Sequence, residues 1–289
     1  MSEVSVILVN YRQPALTEAA VASLRKSGEF AAMDVVVVDN GSGDGSLERL
    51  RASCADCTVL DAGGNLGFSG GNNVGIRHAL AAGAEWILLL NNDAEAEPGL
   101  LGRLVAAAGG GRFLAAPKIV YASAPSRVWY GGGYVDRVRG GFYHDTDPEL
   151  ASRPREVGFA SGCCMLLPAE FFRTEGLMDE SYFLYYEDAE LCMRAARAGW
   201  RIRYVPDAVV RHKVGVTTGG ACSRMSVYYG TRNRLAVLTG FGFPFYAKAF
   251  VLLTRLMKLA LVPIRPALMV SVAGVFDWMS GRMGRKEGL

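Results

Sequence analysis

The chain has 289 residues, of which 51% are hydrophobic and 20% are charged. This composition excludes an intrinsically disordered protein and suffices for one large domain, or one domain with an appendage. The net charge is +3, and it is distributed unevenly, because residues 241–289 carry seven basic and two acidic side chains. The positive charge is therefore concentrated at the C-terminal end, in a region that is also strongly apolar.

The first 112 residues alternate between strand-like and helix-like patterns four times. The predicted strands are VSVILVN (4–10), DVVVVDN (34–40), CTVL (57–60) and WILLLN (86–91). The predicted helices are PALTEAAVASLRKSG (14–28), LERLRAS (47–53), NNVGIRHALAAGA (72–84) and PGLLGRLVAAAG (98–109). This alternation predicts a doubly wound α/β fold with a mostly parallel sheet flanked by helices.

After residue 112 the pattern changes. Residues 121–158 are irregular and rich in Gly, Tyr and Arg, which predicts loops and short antiparallel strands. The later predicted elements are a strand in FASGCCMLLP (159–168), an amphipathic helix in EDAELCMRAARAGW (187–200) and a strand in RIRYVP (201–206). The second half of the chain is therefore expected to differ in architecture from the first.

Polar side chains follow three of the four predicted parallel strands. They are Asn10, Tyr11 and Arg12 after the first, Asp39 and Asn40 after the second, and Asn91, Asn92 and Asp93 after the fourth. Parallel α/β sheets bind ligands beyond the carboxyl ends of their strands. These residues therefore predict one site at one edge of the sheet, and not three unrelated turns.

Six motifs carry a family likeness. They are VSVILVNYR, VVVVDNGSGDGS, NLGFSGGNNVGI, LLLNND, GLMDESYFLYYEDAELCMR and YYGTRNR. Their order resembles that of family 2 glycosyltransferases, most of all the bacterial rhamnosyltransferase-like branch, over residues 3–240. The resemblance implies a GT-A fold, a nucleotide-sugar donor, a divalent metal ion (Mg²⁺ or Mn²⁺) and inversion at the anomeric carbon.

The resemblance also implies a division of the chain. We expect a glycosyltransferase domain over residues 1–240, with its nucleotide-binding half in 1–112 and its acceptor-binding and catalytic half in 113–240. Residues 241–289 are expected to form a helical tail that associates with a membrane or with another subunit.

Asp93 is the candidate metal ligand, because a hard cation bound by oxygen atoms stabilises a departing diphosphate. The family commonly has Asp-x-Asp here, whereas this chain has Asn91-Asn92-Asp93. Asn91 is expected to contact the ribose or the metal ion through its carbonyl. The site is one negative charge short, so we expect the metal to bind weakly until the donor diphosphate arrives. The alternative role for Asp93 is an Asn/Asp turn or a helix N-cap.

His212 is the second metal ligand that the resemblance implies, although a single histidine after a strand is also a common structural residue. The chain has two other histidines. His78 lies within a predicted helix and is expected to be a surface or packing residue. His144 lies in a loop, and its role is left open.

The general base is expected in YYEDAE (185–190). The resemblance implies that Asp188 is the base and that Glu187 orients or binds the acceptor. Glu190 is expected to pair with Arg194 one turn later in the helix. The alternative is that these acids simply occupy a helix N-terminus, which favours negative charge.

The nucleotide is expected to lie across the strand ends. Its predicted contacts are Asn10, Tyr11 and Arg12 for the base, Asp39 for the base or ribose, and Asn65, Gly67, Asn73, Asn91 and Asn92 around it. The alternative is that Gly67 serves only to form a turn. Arg232 is a candidate for the diphosphate or a charged acceptor, or else an ordinary helix-surface arginine. The Gly162 backbone is a candidate acceptor contact.

The tail segment 245–276 is strongly apolar, but its longest uncharged run has eleven residues (266–276). A membrane-spanning helix needs about 20. Its basic residues are Lys248, Arg255, Lys258 and Arg265. On one helix they would form a stripe suited to an anionic membrane surface, with a kink or break at Pro263. A packed or dimer-forming helix pair is the alternative.

No hydrophobic leader with a small-residue cleavage site follows the charged residues at the start, so a cytoplasmic, reduced protein is expected, peripheral on the inner face of the membrane. Cys54 and Cys57 form a C-x-x-C, but no second pair or nearby His completes a zinc site, so these cysteines are interpreted as incidental.

The resulting hypothesis is an enzyme that transfers L-rhamnose from deoxythymidine-diphosphate rhamnose (dTDP-rhamnose) to a glycan or polyprenyl-linked acceptor, in cell-surface polysaccharide synthesis. No nucleic-acid partner is expected. One alternative is a catalytically inactive nucleotide-sugar-binding protein, since the first Asp of the metal motif is missing. Another is a sugar nucleotidyltransferase, although NYRQPA is not the Gly-rich basic loop of that class. An NAD-dependent oxidoreductase is disfavoured because GSGDGS does not complete G-x-G-x-x-G.

Overall fold

A computed structural model of the protein describes residues 3–214, 223–261 and 265–289. The strands in these ranges are β1 Val4–Asn10, β2 Met33–Asp39, β3 Thr58–Asp61, β4 Trp86–Leu90, β5 Ala94–Ala96, β6 Phe113–Tyr121, β7 Ala124–Tyr130, β8 Gly133–Asp136, β9 Gly141–His144, β10 Arg155–Val157, β11 Cys164–Pro168 and β12 Arg201–His212. The helices are α1 Pro14–Lys26, α2 Ser46–Ser53, α3 Gly67–Ala81, α4 Leu100–Ala108, α5 Ala169–Glu175, α6 Glu187–Arg197, α7 Arg224–Gly240, α8 Phe245–Leu261 and α9 Arg265–Met279.

One sheet organises the fold, with the order β10-β12-β6-β11-β4-β1-β2-β3. Strand β1 pairs in parallel with both β2 and β4, and β2 pairs in parallel with β3. The apolar residues of β1, β2 and β4 are almost completely buried, as continuous hydrophobic runs in covered parallel strands should be. The predicted mostly parallel α/β sheet is confirmed.

The second half of the chain extends the same sheet. Strand β11 lies antiparallel between β4 and β6, and β6 pairs in parallel with β12. The predicted strand over 159–168 is shorter than expected, since only Cys164–Pro168 is regular. Its irregular first part has other partners: Gly162 N donates to Asp188, and the Cys163 carbonyl accepts from Asn91 N.

A short strand after the fourth parallel strand brings distant residues together. Strand β5 pairs antiparallel with the end of β12, with Ala94 opposite His212. Asp93 immediately precedes β5, and its carbonyl accepts from Lys213 N. The pairing therefore places the side chains of Asp93 and His212 side by side.

The C-terminal helices pack on α7. Gly274 of α9 lies against the Tyr228 carbonyl of α7, where an added Cβ would be 2.9 Å from the oxygen. This close approach requires glycine. None of the helices in the described ranges is long and apolar enough to cross a membrane.

The predicted basic stripe of the tail stays a prediction, because only Lys248 and Arg255 of its four residues have described side chains. The described part of the tail lies in α8, Phe245–Leu261, and α9, Arg265–Met279. Arg255 points towards α7, where an added Cβ at Gly230 would lie 3.8 Å from its Nη2. The side chains of Lys258 and Arg265, and the predicted break at Pro263, lie outside the described residues.

Candidate active site

The two candidate metal ligands meet at the carboxyl-terminal edge of the sheet. Oδ1 of Asp93 lies 3.2 Å from Nε2 of His212. Both side chains are buried, at 5% and 7% exposure, although they are 119 residues apart in the chain. The pair offers a hard oxygen and an imidazole nitrogen, a donor set that fits a divalent cation whose remaining ligands come from a diphosphate. Within the described ranges, no cluster of three or more such ligands occurs.

Aromatic rings cover one side of this pair. The Trp129 ring lies edge-on to both His212 and His144, with ring centroids 4.6 Å and 4.4 Å apart. His144 also stacks on Phe159. Burial lowers the pKa of His144 to about 4, so its imidazole is neutral at physiological pH. His144, whose role the sequence left open, is therefore a neutral side chain. It packs on Trp129, the ring that also contacts His212.

A short backbone bridge connects the metal pair with the catalytic candidates. Asn91, two residues before Asp93, donates its N–H to the Cys163 carbonyl at 2.8 Å. The adjacent Gly162 donates its N–H to Oδ2 of Asp188 at 3.0 Å. This bridge brings the start of α6 to the same edge of the sheet as the strand ends. The Gly162 N–H is taken up by Asp188, so the predicted contact of the Gly162 backbone with an acceptor stays a prediction for its carbonyl.

The two acids at the start of α6 have different environments. Asp188 accepts hydrogen bonds from the N–H groups of Gly162 and Ala189, whereas Oε2 of the buried Glu187 has no hydrogen-bond partner among the described residues. Burial raises the pKa of both carboxyls, and the neighbouring Asp188 charge raises that of Glu187 further. Asp188 is therefore the more acidic carboxyl of the two, and Glu187 holds its proton to a higher pH than an exposed glutamate does.

This difference predicts how Glu187→Gln changes stability with pH. Because the pKa of Glu187 is raised in the folded protein, the folded state holds this proton more tightly than the unfolded state, and the free energy of unfolding falls as pH rises above the unfolded pKa of 4.5. A tenfold difference in proton affinity between the two states corresponds to about 1.4 kcal/mol. The melting temperature of E187Q relative to wild type should therefore increase from pH 5 to pH 8 in thermal unfolding. A difference independent of pH would contradict this prediction.

The loop that leads into α6 is held in an uncommon backbone conformation. Phe183, Tyr185 and Tyr186 have φ angles of 59°, 66° and 69°, in the left-handed region that non-glycine residues rarely adopt. The side-chain amide of Asn233 in α7 donates to the carbonyls of Tyr182, Leu184 and Tyr185 at 2.7, 2.9 and 2.8 Å. Asn233 therefore fixes the direction from which the chain enters α6.

Arg232, like Asn233, holds the loop before α6, and it is not a diphosphate ligand. Its side chain is 1% exposed, and Nη1 donates to the Gly284 carbonyl at 2.7 Å. Gly284 N in turn donates to the Ser181 carbonyl at 2.6 Å. The guanidinium thus joins the C-terminal segment to the loop before α6, which corrects both predicted roles, as a phosphate contact and as a helix-surface residue.

A cavity of about 470 Å³ lies beyond β2 and β3. Asp39 forms part of its lining with Asp61 and the glycines of two loops, at 41, 43, 45, 63 and 64. Asp39 accepts from Asn10 and Ser42, so its carboxylate is fixed in position. Tyr11 and Arg12 are nearby, since Arg12 N and Nε donate to Ser42. The cavity has the position and size expected for a nucleoside.

Three residues predicted to contact the nucleotide are instead buried and hydrogen-bonded to other protein groups. Asn10 is fully buried, with its amide hydrogen-bonded to Asp39, Ser42 and Thr17. Asn92 donates to the Thr17 hydroxyl at 3.2 Å. Asn73 exchanges hydrogen bonds with the backbone of Met178, 105 residues away. Asn10 and Asn73 have protein partners for both the nitrogen and the oxygen of the amide, which leaves neither group available to a ligand. For Asn92 this holds for the amide nitrogen, and a contact through its oxygen stays a prediction.

The loop before α3 gives a mixed result. Gly67 has a φ of 74°, and an added Cβ would be 2.2 Å from the Phe183 carbonyl, so packing against the loop before α6 explains this glycine. A close approach of the backbone to a nucleotide is therefore not needed to explain Gly67. Asn65 accepts from Gly67 N and is partly exposed, so it remains a candidate contact with Asn91.

Comparison with known sequences identifies the family. The sequence model described as Glycosyl transferase family 2 matches residues 5–175. The chain belongs to glycosyltransferase family 2. The family 2 assignment confirms the predicted enzyme class, a nucleotide-sugar-dependent glycosyltransferase.

Two relatives illustrate the family 2 similarity. The chain is 30% identical over 248 residues to the low-salt glycan biosynthesis hexosyltransferase Agl10 of Haloferax volcanii, covering 81% of this chain and 75% of that protein. It is 31% identical over 239 residues to the N-acetylglucosaminyl-diphospho-decaprenol L-rhamnosyltransferase of Mycobacterium tuberculosis, covering 74% and 77%.

A solved structure shows the same fold at low sequence identity. The mannosyltransferase PcManGT of Pyrobaculum calidifontis, in complex with GDP-Man and Mn²⁺, superposes with a TM-score of 0.61 and 15% identity, covering 96% of this chain and 75% of that chain. The GT-A fold that the family 2 resemblance implied is thereby confirmed.

Sequence reasoning missed several residues of the candidate site. Asp61 ends β3 at the same edge as Asp39, and a polar residue at that strand end was the available signal. Trp129 and Asn233 gave no such signal, because their importance comes from contacts with His212 and with the loop before α6. The predicted pair between Glu190 and Arg194 is confirmed, with Nε 2.9 Å from Oε1.

Proposed function

We propose that this protein is an inverting, metal-dependent hexosyltransferase that moves L-rhamnose from dTDP-rhamnose to a lipid-linked glycan acceptor. The observation that carries the proposal is the backbone bridge that links the Asp93–His212 pair to Asp188. A cation site and a base at one edge are what transfer from a sugar diphosphate requires. L-rhamnose and a diphospholipid acceptor appear in the name of the mycobacterial relative.

The donor nucleotide would occupy the cavity beside Asp39. Asp39 would accept hydrogen bonds from the base or ribose, and Tyr11 and Arg12 would form the adjacent wall. Asn65 and Asn91 would face the remaining parts of the nucleotide. The glycine-lined loops leave room for the nucleotide to approach the backbone.

Asp93 and His212 would hold the divalent cation, Mg²⁺ or Mn²⁺. When bound, this ion supplies positive charge against the negative charge that develops on the leaving diphosphate. The single carboxylate of the pair explains why we expect the donor diphosphate to contribute to metal affinity. Trp129 excludes water from one side of the histidine.

Asp188 would act as the general base. Two backbone N–H groups fix its carboxylate, so it is oriented before the acceptor arrives. It would accept the proton of the acceptor hydroxyl as that oxygen attacks the anomeric carbon from the side opposite the diphosphate, which inverts the configuration. Glu187, protonated at the same helix start, would donate a hydrogen bond to the acceptor.

The proposal is tested by thermal-shift titration with dTDP-, UDP- and GDP-sugars, each with Mg²⁺ and Mn²⁺, followed by product analysis with the sugar that binds. dTDP-rhamnose with either metal is expected to give the largest stabilisation, because selective binding to the native state raises the melting temperature. Absence of any shift with every nucleotide diphosphate would overturn the proposal. Binding without transfer would instead favour the inactive binding protein.

We also propose that residues 1–240 form the transferase domain and that residues 241–289 attach it to the inner face of the cytoplasmic membrane. The tail helices expose large apolar side chains, among them Phe245, Met269 and Met279 at 79%, 73% and 72%. Together with the basic residues of this region, such a face suits an anionic lipid surface. Flotation with anionic liposomes at low salt should carry the full chain upward. Failure to float, with dimers in solution, would favour the alternative of a homo-oligomer contact.

A further inference from the structure

Two arginines approach the start of the catalytic helix from the tail side. Arg234 of α7 donates from Nε and Nη2 to the carbonyls of Gly140 and Arg139, at 2.7 and 3.0 Å. Arg255 of α8 points towards α7 near Gly230. The charges of both guanidiniums act on the hydroxyl of Tyr186, the residue immediately before Glu187.

This arginine pair lacks a carboxylate partner. Among the described residues, neither guanidinium forms an ion pair, and the hydrogen bonds of Arg234 go to backbone carbonyls. The groups that face Arg255 are Tyr186 and Arg234, and burial together with the Arg234 charge lowers the pKa of Arg255. Two partly buried like charges with no counter-ion are stabilised by a bound anion.

The arginine pair and the metal pair are connected to the start of α6 through different contacts. The Asp188 carboxylate contacts Gly162, which leads to Asn91 and Asp93 through Cys163. Tyr186, two residues before Asp188, packs edge-on against Phe142, with ring centroids 5.9 Å apart. An anion held at the arginines is therefore proposed as distinct from the diphosphate of the donor.

An apolar surface begins next to the arginine pair. Phe142 also contacts Phe243, two residues before the start of α8. The large apolar side chains exposed on α8 are Phe245, Tyr246, Phe250, Leu253, Leu256 and Met257. The tip of the β8–β9 hairpin adds Val138, which is 64% exposed. Contacts through Tyr186, Phe142 and Phe243 thus connect the start of α6 with the apolar face of α8.

We propose that Arg234 and Arg255 bind the diphosphate of an isoprenoid-diphosphate-linked acceptor. The acceptor sugar would then reach Asp188, and the isoprenoid chain would leave along the exposed face of α8. Arg255 suits this role because a guanidinium forms paired, charge-assisted hydrogen bonds to phosphate oxygens. Arg234, whose Nε and Nη2 donate to backbone carbonyls, would contribute its Nη1 and its charge. This assignment rests on the proposed function, since it presumes a lipid-linked acceptor.

The test measures binding of farnesyl diphosphate to the full chain by calorimetry. The donor site is first saturated with Mn²⁺ and whichever of the deoxythymidine, uridine or guanosine diphosphates binds. Arg255→Gln is expected to weaken farnesyl diphosphate binding by about tenfold or more, and Arg255→Lys by less, because lysine keeps the charge but loses the paired geometry. The charge-matched control is Arg285→Gln, an exposed arginine of the C-terminal segment, which should bind as wild type does.

The outcomes separate this inference from the proposed function. If no nucleoside diphosphate binds wild type, the proposed function fails. If a nucleotide binds but farnesyl diphosphate does not, or if R255Q binds it as tightly as wild type, only the acceptor assignment fails. Competition between the nucleotide and farnesyl diphosphate would place the lipid in the donor site and would also overturn the acceptor assignment. Equal affinity for farnesyl monophosphate would overturn the diphosphate assignment and indicate a single-phosphate site, such as one for a phospholipid headgroup.

Discussion

Replacement of Asp188 by Asn is expected to lower the rate of sugar transfer by about 10²- to 10⁴-fold, the usual contribution of a positioned general base. Asn has almost the same shape and can still accept from Gly162 N, but it cannot take the proton of the acceptor hydroxyl. Nucleotide binding should be unchanged, because Asp188 lies beyond the bridge from the metal pair. Parallel measurement of product formation and nucleotide affinity distinguishes the two effects.

The pH dependence of wild type gives an independent check on the same residue. Burial raises the pKa of Asp188 and of Glu187, so kcat/KM should rise with pH as the carboxyl pair loses its first proton. This rising limb should disappear in D188N. If D188N keeps wild-type turnover, or keeps the rising limb, Asp188 is not the base.

Replacement of Asp93 by Ala is expected to abolish metal binding that depends on the nucleotide, and to lower transfer by about 10²-fold or more, since a cation's stabilisation of developing charge is worth several kcal/mol. Asp93 is the single carboxylate in contact with His212 among the described residues. Its loss leaves His212 as the only protein ligand from the candidate pair.

Titration with Mn²⁺, followed by electron paramagnetic resonance, measures the metal affinity directly. Wild type should bind Mn²⁺ weakly alone and more tightly with a nucleoside diphosphate, whereas D93A should show neither mode. Asp207→Ala, which removes an exposed acid from β12, is the matched control and should behave as wild type. Unchanged Mn²⁺ affinity in D93A would remove Asp93 from the metal site. Tight binding to wild type without nucleotide would overturn the expectation of a charge-deficient site.

The parallel part of the fold was predictable because it depends on local patterns. The apolar runs of β1, β2 and β4 are long enough only for strands, and the intervening helices require parallel connections. That topology brings Asp39 and Asp93 to one edge, since the carboxyl ends of parallel strands coincide. The amphipathic pattern after Tyr186 likewise predicted α6, with Glu187 and Asp188 at its start.

The functions of individual amides and arginines were not predictable in this way. Asn73 and Arg232 resemble ligand contacts in the sequence, but their partners are backbone groups 105 and 52 residues away. A side chain whose donors and acceptors are all taken up by protein groups cannot serve a ligand, and only the packed chain reveals those partners. The same is true of Arg255, whose helical position was predictable but whose direction was not.

The sequence by itself therefore determined the class of the fold, the edge of the sheet that carries the site, and the carboxylates available there. Only the tertiary structure decided which polar groups are satisfied internally and which still face a ligand. The physical reason is that helix and strand patterns depend on neighbours a few residues apart, whereas burial and charge pairing depend on contacts such as that between Asp93 and His212.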